Sequence, residues 1–471
     1  MIITWLFGKL WVWLTIQSKA AIIPWMSNKK KVWHYSIWKE ITRSFRWLVP
    51  GIGVKRWLLL LLGGITLLGV GLGILLLEIY RTAPDTWWLP ALSFLSLRFL
   101  SRPLRFIIFG GIGVGLIFTG IWGLNRALLI PFLRPGRRLV DQVAEYRRRE
   151  KGPRVVAIGG GHGLATVLRG MKDHTHNLTA VVAVTDDGGS SGELRRSLGI
   201  LPPGDMRNCL AALSNDEALL TQLFQYRFSG DNQLEGHSFG NLFISALVDI
   251  TGSFEEAISE SGRVLSVHGR VLPATLHNVH LVADVQLPNL PNEVRVTGES
   301  KIPKIGGRVR RVWLEPNDAT AFPPVIQAIL AADMITIGPG SLYTSLLPNV
   351  LVPDLLAAIR SSRALKIFIC NVATQIGETQ AYNCGDHVRS LEEFIGSDVI
   401  DIIVCNTSYE ADLPDGVQWV RLDDELLSKG RVYCADLLDR ERPLHHEASK
   451  LAQTLIDLFY ERTGPLDREI Q

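Results

Sequence analysis

The segment that most restricts the possible folds is one where a β-branched run passes through glycines into an amphipathic stretch. Residues 154–158 read RVVAI, Gly159-Gly160-Gly161-His162-Gly163 follows, and residues 164–171 (LATVLRGM) carry helical periodicity. Strand, glycine loop and helix together present backbone N–H groups at a helix N-terminus, where a phosphate is favoured. Glycines let the main chain approach such a ligand, because a Cβ would stand in the way. The spacing is not the dinucleotide GxGxxG, and a tight turn would use the same residues.

Further units of this kind follow. Residues 179–184 (TAVVAV) run into Thr185-Asp186-Asp187-Gly188-Gly189-Ser190-Ser191-Gly192. Residues 334–337 (MITI) run into Gly338-Pro339-Gly340-Ser341 and a helical stretch. Residues 366–370 end at Asn371, and residues 399–405 end at Asn406. Apolar strands alternating with helices predict an α/β fold, a Rossmann-like, doubly wound, mostly parallel sheet covered on both faces. Ligands of such sheets sit beyond the carboxyl ends of the strands. The Pro- and Gly-rich residues 288–325 read as an inserted lobe with no assigned place.

The candidate binding residues lie at those strand ends. Gly160, Gly161 and Gly163 in the first loop, and Gly338, Gly340 and Ser341 in the later one, are placed to receive phosphate on helix N-termini. Asp186 and Asp187 leave a strand together; adjacent carboxylates there can hold a hydrated Mg²⁺, bind a ribose hydroxyl or accept a proton. They are the candidate catalytic and metal-binding pair, although Asp before glycine also caps turns. In Pro202-Pro203-Gly204-Asp205-Met206-Arg207-Asn208, Asp205 is a candidate N-cap, and Arg207 and Asn208 can meet a phosphate or an amide. His237 and Asn241 stand in GHSFGN before another helix, and Asn371, Thr374 and Gln375 offer neutral donors and acceptors to a sugar or base. No GxSxG elbow, HExxH pair or Walker lysine occurs.

The N-terminal part differs in kind. Eleven of the 13 Trp lie within residues 1–125. Residues 1–151 carry 22 Lys+Arg against 6 Asp+Glu, and the remainder carries 27 against 40. A basic apolar head on an acidic body suggests a membrane, and an acidic body argues against a nucleic-acid reader. Residues 57–77 and 106–124 run 21 and 19 positions without a charge, about the length of a bilayer-spanning helix. Basic residues flank the pair, with eight Lys/Arg in 29–56 and nine in 125–154, against Arg81, Arg98, Arg102 and Arg105 between them. The expected topology is a multi-pass cell-membrane protein with both ends cytoplasmic. The organisation expected is a basic, Trp-rich cytoplasmic or interfacial segment (1–56), a transmembrane hairpin (57–124), a basic linker helix (125–152), the α/β domain (153–460) and a tail (461–471). The five cysteines (209, 370, 384, 405, 434) show no CxxC or Cys/His spacing, so reduced thiols are expected, with neither a disulfide framework nor a zinc site.

Taken together, AIGGGHGLATVLRG (157–170), AVTDDGGSSGELR (183–195), GILPPGDMRNCLAAL (199–213), GHSFGNL (236–242), GRVLPAT (269–275), GPGSLYTSLLPN (338–349) and NVATQIGET (371–379) resemble the gluconeogenesis-factor (YvcK-like) family of the CofD-like, 2-phospho-L-lactate transferase superfamily. The resemblance spans about residues 153–460 and leaves the head outside it. It implies a Rossmann-like fold, binding of a UDP-sugar of the UDP-N-acetylglucosamine class, and a role in cell shape and cell-wall synthesis with envelope proteins as partners. The transferase branch uses Mg²⁺ and acids after its second strand, near Asp186 and Asp187, with a basic acceptor contact near Arg207. The run TDDGGS departs from that branch's NTGDD-type sequence, which counts against deazaflavin chemistry. Two functions therefore compete: a UDP-sugar-sensing regulator, and a Mg²⁺-dependent transferase of a phosphoryl-linked group.

Overall fold

The computed structural model describes residues 101–129 and 139–464 except 215–217, 231–233, 289 and 429, with isolated positions between 62 and 100. The chain divides into two compact units, Met1–Glu145 and Tyr146–Gln471, a division slightly earlier than the expected 152/153 because the last turn of the helix Leu139–Glu150 belongs to the second unit. Tyr146 packs edge-on to His176, and Asn177 Nδ2 donates to the Glu150 carbonyl at 2.9 Å.

Ten strands build the second unit: β1 (Val155–Gly159), β2 (Leu178–Val182), β3 (Arg270–Pro273), β4 (His280–Gln286), β5 (Val294–Thr297), β6 (Arg308–Glu315), β7 (Met334–Ile337), β8 (Leu365–Ile369), β9 (Ile402–Asn406) and β10 (Val432–Ala435). Seven form one sheet in the order β10-β9-β8-β7-β1-β2-β3, with every pairing parallel. This is the Rossmann-like parallel α/β core expected from the alternating pattern. β1 is an interior strand, with Val155 opposite both Leu178 and Met334. β1, β2, β7 and β9 are buried along their whole length, which is why they read as unbroken apolar runs. β4, β5 and β6 form a separate antiparallel sheet in the order β5-β4-β6. Residues 288–325, unplaced from sequence, supply two of its three strands.

The helix Gly161–Met171 buries Leu164, Val167, Leu168 and Met171, each side chain contributing about 1.5–3 kcal/mol. It lies between the helices Gly204–Leu213 and Ala448–Thr463. Contact with the latter is close at Gly170, where a Cβ would stand 2.1 Å from the Ala448 carbonyl oxygen.

In the first unit, the helix Arg102–Leu129 covers the second uncharged run and exposes Ile107, Phe109, Ile112, Val114, Phe118 and Trp122. No single helix among the described residues is long and apolar enough to cross a membrane. The bent pair Leu342–Val350 and Pro353–Ser361 passes by length and composition, but its apolar side chains belong to the core of the α/β unit. Most of the first run, 57–77, and all of residues 1–56 and 465–471 lie outside the described residues.

The packing at Gly170 leads to a direct test. Gly170→Val should lower the stability of the α/β unit by roughly 1–3 kcal/mol through overpacking, read as a lower denaturant midpoint. An unchanged midpoint would mean that the C-terminal helix does not dock here.

Candidate functional site

From β1 the chain builds outward through β2 to β3. It then returns to the other side of β1 and builds outward again through β7, β8, β9 and β10. The order reverses between β1 and β7, and a crevice opens beyond the strand ends at such a reversal. Its walls are the two glycine loops expected from sequence. Gly160 is the extended residue before the helix Gly161–Met171, and Gly161 has φ +60°. At Gly163 a Cβ would stand 2.2 Å from the Pro339 carbonyl oxygen, so only glycine lets the helix start against the β7 loop. Asn349 joins the loops from beneath, its Nδ2 donating to the carbonyls of Gly159 (3.1 Å) and Ser345 (2.8 Å).

The β8 loop holds the β7 loop in turn. Asn371 Oδ1 accepts from Gly340 N–H at 3.0 Å, and its Nδ2 donates to the Gly340 carbonyl at 2.9 Å. Gln375 Nε2 donates to Ser341 Oγ at 2.8 Å. Thr374 serves another purpose: its Oγ1 accepts from Gln418 N–H at 2.9 Å and its N–H donates to the Gln418 carbonyl. The Thr374 hydroxyl thus secures a neighbouring loop.

Carboxylates gather opposite the glycines. Asp205 lies in the first turn of the helix Gly204–Leu213, whose N-cap is Pro203; it is therefore not the cap its position suggested. Its carboxyl faces the first loop, so that a Cβ on Gly160 would come within 2.7 Å of Oδ2. Burial pushes Asp205 up to about 7, with the charge of Asp186 adding, against the Gly161 N–H and Arg207. Asp186 Oδ1 accepts from Gly188 N–H at 2.9 Å, and burial also raises its pKa. Asp187 Oδ1 accepts from Ser300 N–H at 2.8 Å, which ties the β2 loop to the turn after β5.

That turn brings in Glu299, an acid that sequence reasoning passed over. Burial pushes it up to about 9, and Asp186, Asp205, Glu378 and Asp187 all add in the same direction. Glu378, also passed over, is buried; Oε1 accepts from Thr344 Oγ1 at 2.9 Å and Oε2 from Tyr343 N–H at 3.2 Å. It also lines a cleft of about 460 Å³ shared with Gly306, Gly307, Arg308 and Tyr382. Glu378 stands in the NVATQIGET segment but follows no charge pattern. Glu299 belongs to the lobe whose place the sequence did not disclose.

A second polar group surrounds Ser190, at the start of the helix Gly189–Leu198. His237 Nδ1 and Asn241 Nδ2 each lie 3.0 Å from Ser190 Oγ, and His237 Nε2 is 3.3 Å from Glu193. Arg207 donates to Ser238 Oγ and, at 2.9 Å, to Asn208 Oδ1. Burial lowers the pKa of Arg207, as does the like charge of Arg227. Arg207 Nε, Asn241 Oδ1 and Gln375 Oε1 are buried with no hydrogen-bond partner. Buried polar atoms are rarely left so. In chemical terms the crevice offers backbone amides for an anion, carboxylates for a hard cation or hydroxyls, and neutral amides for a sugar or base. Among the described residues the carboxylates do not close into a ready-made three-ligand cage.

Residues 155–437 match the family described as 2-phospho-L-lactate transferase CofD. A Nostoc sp. protein, whose name contains the term gluconeogenesis factor, is 43% identical over 446 residues, covering 89% of this chain and 93% of its own length. That share exceeds the α/β unit alone, so the likeness reaches into the N-terminal unit. The Bacillus subtilis protein named "Gluconeogenesis factor" is 43% identical over 321 residues, 66% of this chain and 99% of its own. The crystal structure of a UPF0052-family protein from Bacillus halodurans superposes with TM-score 0.60 at 42% identity, covering 65% of this chain and 99% of that one. Matched over more than half its length, and similar along almost their whole length to proteins named gluconeogenesis factors, the chain belongs to the 2-phospho-L-lactate transferase CofD family.

Proposed function

We propose that the crevice binds a nucleoside diphosphate sugar of the UDP-N-acetylglucosamine class, and that the protein relays this binding to envelope synthesis at a membrane. The observation that carries the reading is the meeting of two glycine loops at the sheet's reversal, beside buried polar atoms that lack partners. The diphosphate rests on the amides of Gly160, Gly163 and Ser341, since Gly161 N–H serves Asp205, Gly338 N–H serves the Ile158 carbonyl and Gly340 N–H serves Asn371. Asp205, Asn208, Asn241 and Gln375 take hydroxyls and base edges, with Arg207 toward the phosphates. Residues 57–77 and 106–124 anchor the chain as a hairpin, with its basic flanks and main domain in the cytoplasm. The apolar side chains exposed along the helix Arg102–Leu129 support this placement.

The gathering of carboxylates favours a second reading, a Mg²⁺-dependent transferase. The donors are hard oxygens, and Mg²⁺ is usually held by one or two carboxylates completed by phosphate and water, so the absence of a cage does not count against it. Asp186 and the free oxygen of Asp187 would hold the ion. When bound, it would neutralise charge on a diphosphate leaving group.

Three outcomes test these readings. Calorimetry on the full chain in detergent should show UDP-N-acetylglucosamine binding, weakened about tenfold or more, roughly 1.4 kcal/mol, by Gly163→Ala. No heat at millimolar ligand would sink the first reading. Mg²⁺-dependent turnover of a nucleotide-linked substrate, abolished by Asp186→Asn, would select the second; saturable binding without turnover selects the first.

The third outcome concerns pH. Glu299 is raised in the folded state to about 9 from an ordinary 4.5, so its favourable contribution is complete below pH 4.5 and is lost as pH climbs toward 9. Glu299→Gln should therefore gain stability over wild type between pH 5 and 8, by roughly 1–3 kcal/mol after allowance for partial exposure. Thermal melts with and without Mg²⁺ read the gap, which the ion should narrow. A gap that is flat with pH would place Glu299 outside the cluster.

A further inference from the structure

Three of the five cysteines, scattered in sequence, converge in space. Cys370 follows β8, and its N–H donates to the Val404 carbonyl on β9 at 3.0 Å, which sets it beside Cys405. Cys384 is the first residue of the helix Cys384–Ile395. A capping box between Asn383 and Asp386 fixes that end, and Gly385 N–H donates to Asp423 Oδ2 at 2.8 Å. The sulfur atoms of Cys370, Cys384 and Cys405 all lie within 4.8 Å of one another, and each residue is at most 2% exposed. The expectation of independent reduced thiols therefore fails for this trio, and Cys384 and Cys405 are disulfide-bonded.

A structural bridge does not account for the whole arrangement. The Cα atoms of Cys384 and Cys405 are 7.2 Å apart, beyond the roughly 4.4–6.8 Å usual for a covalent bridge. The bridge also leaves the third thiol unexplained. An ion shared by the sulfurs spaces them more widely than a covalent bond does, which suits this backbone separation and gives Cys370 a part.

We propose that Cys370, Cys384 and Cys405 form a three-thiolate site for a soft cation of the Zn²⁺, Cd²⁺ or Cu⁺ class. Thiolate donors select such ions over Mg²⁺, so this site is separate in chemistry from the carboxylate crevice. The disulfide is its metal-free, oxidised state. A dithiol reductant opens it: the Cys384–Cys405 bond breaks, two cysteine thiols form, and the reductant leaves as its own disulfide. Three thiols then exchange three protons for one divalent ion. Core packing alone is the bland alternative, because unpaired cysteine is among the most buried residue types. Cys434 on β10, paired across the sheet with Cys405 on β9, is exposed and stands outside the trio.

The position connects the ion to the crevice. Cys370 immediately precedes Asn371, whose amide holds Gly340 through two hydrogen bonds. An ion on Cys370 thereby fixes the strand end from which the β7 loop is held.

The test uses the full chain, reduced with a dithiol, freed of reductant without oxygen, and titrated with Cd²⁺ alone. Expected is uptake of about one equivalent, a thiolate-to-cadmium charge-transfer band, and release of nearly three protons per ion. Cys370→Ala and Cys405→Ala should each weaken uptake at least tenfold, and Cys434→Ala should not. Where a variant fails to fold, the proton count on wild type stands alone. No band, fewer than two protons released, a band undiminished in Cys370→Ala, or one lost in Cys434→Ala would overturn the assignment.

Discussion

The close approach of the first helix to the main chain of Pro339 is the constraint on which the site depends. β1 and β7 are neighbours that belong to opposite arms of the sheet. Their following loops can share one space only if the helix after β1 begins hard against the β7 loop. Gly163 permits that approach, since a Cβ there would lie 2.2 Å from a carbonyl oxygen that has nowhere to retreat. Close packing transmits such a clash rather than absorbing it. The two loops therefore meet at one place, with Gly163 against Pro339 and Gly340.

Around this contact the chain commits side chains to holding loops. Asn349 reaches Gly159, Asn371 grips Gly340 by both polar atoms, and Asp187 ties the β2 loop to the turn at Ser300. Each is a neutral or charge-assisted hydrogen bond in a sheltered place, where such bonds rigidify most. The antiparallel sheet of β4, β5 and β6 matters for the same reason. Its turn delivers Glu299 to the crevice and is itself held there by Asp187.

Much of this was legible in the sequence because parallel strands buried on both faces leave uninterrupted apolar runs. β1, β2, β7, β8 and β9 were each visible within a residue or a few. Loops at their ends announced themselves through Gly160, Gly163, Asp186, Gly340 and Asn371. Local pattern could not show which residues meet across the sheet. Glu299 and Glu378 carry no periodicity, and only the tertiary fold sets Glu299 against Asp186 and Glu378. Asp205 looked like a helix cap because Asp often is one, whereas its carboxyl turns toward Gly160. The cysteine trio was hidden for a related reason: Cys370 and Cys405 become neighbours through strand pairing, and no spacing rule encodes that register.

The charges in the crevice constrain what can occupy it. Backbone amides at a helix start attract an anion, yet Asp186, Asp205 and Glu299 stand near the same loop and would repel one. Partial protonation relieves that conflict in the empty state, as the raised values of Asp205 and Glu299 require. A diphosphate entering the crevice adds negative charge and pushes those acids further toward the neutral form. On the proposed reading, neutral Asp205 and Glu299 become hydrogen-bond donors to the ligand's oxygens, while Asp186 remains an acceptor for hydroxyls. A divalent ion carried in with the diphosphate does the opposite and draws the carboxylates back to their charged form. Proton uptake on binding is therefore the physical signature that separates a sensor of the bare nucleotide from an enzyme that takes its substrate as a magnesium complex.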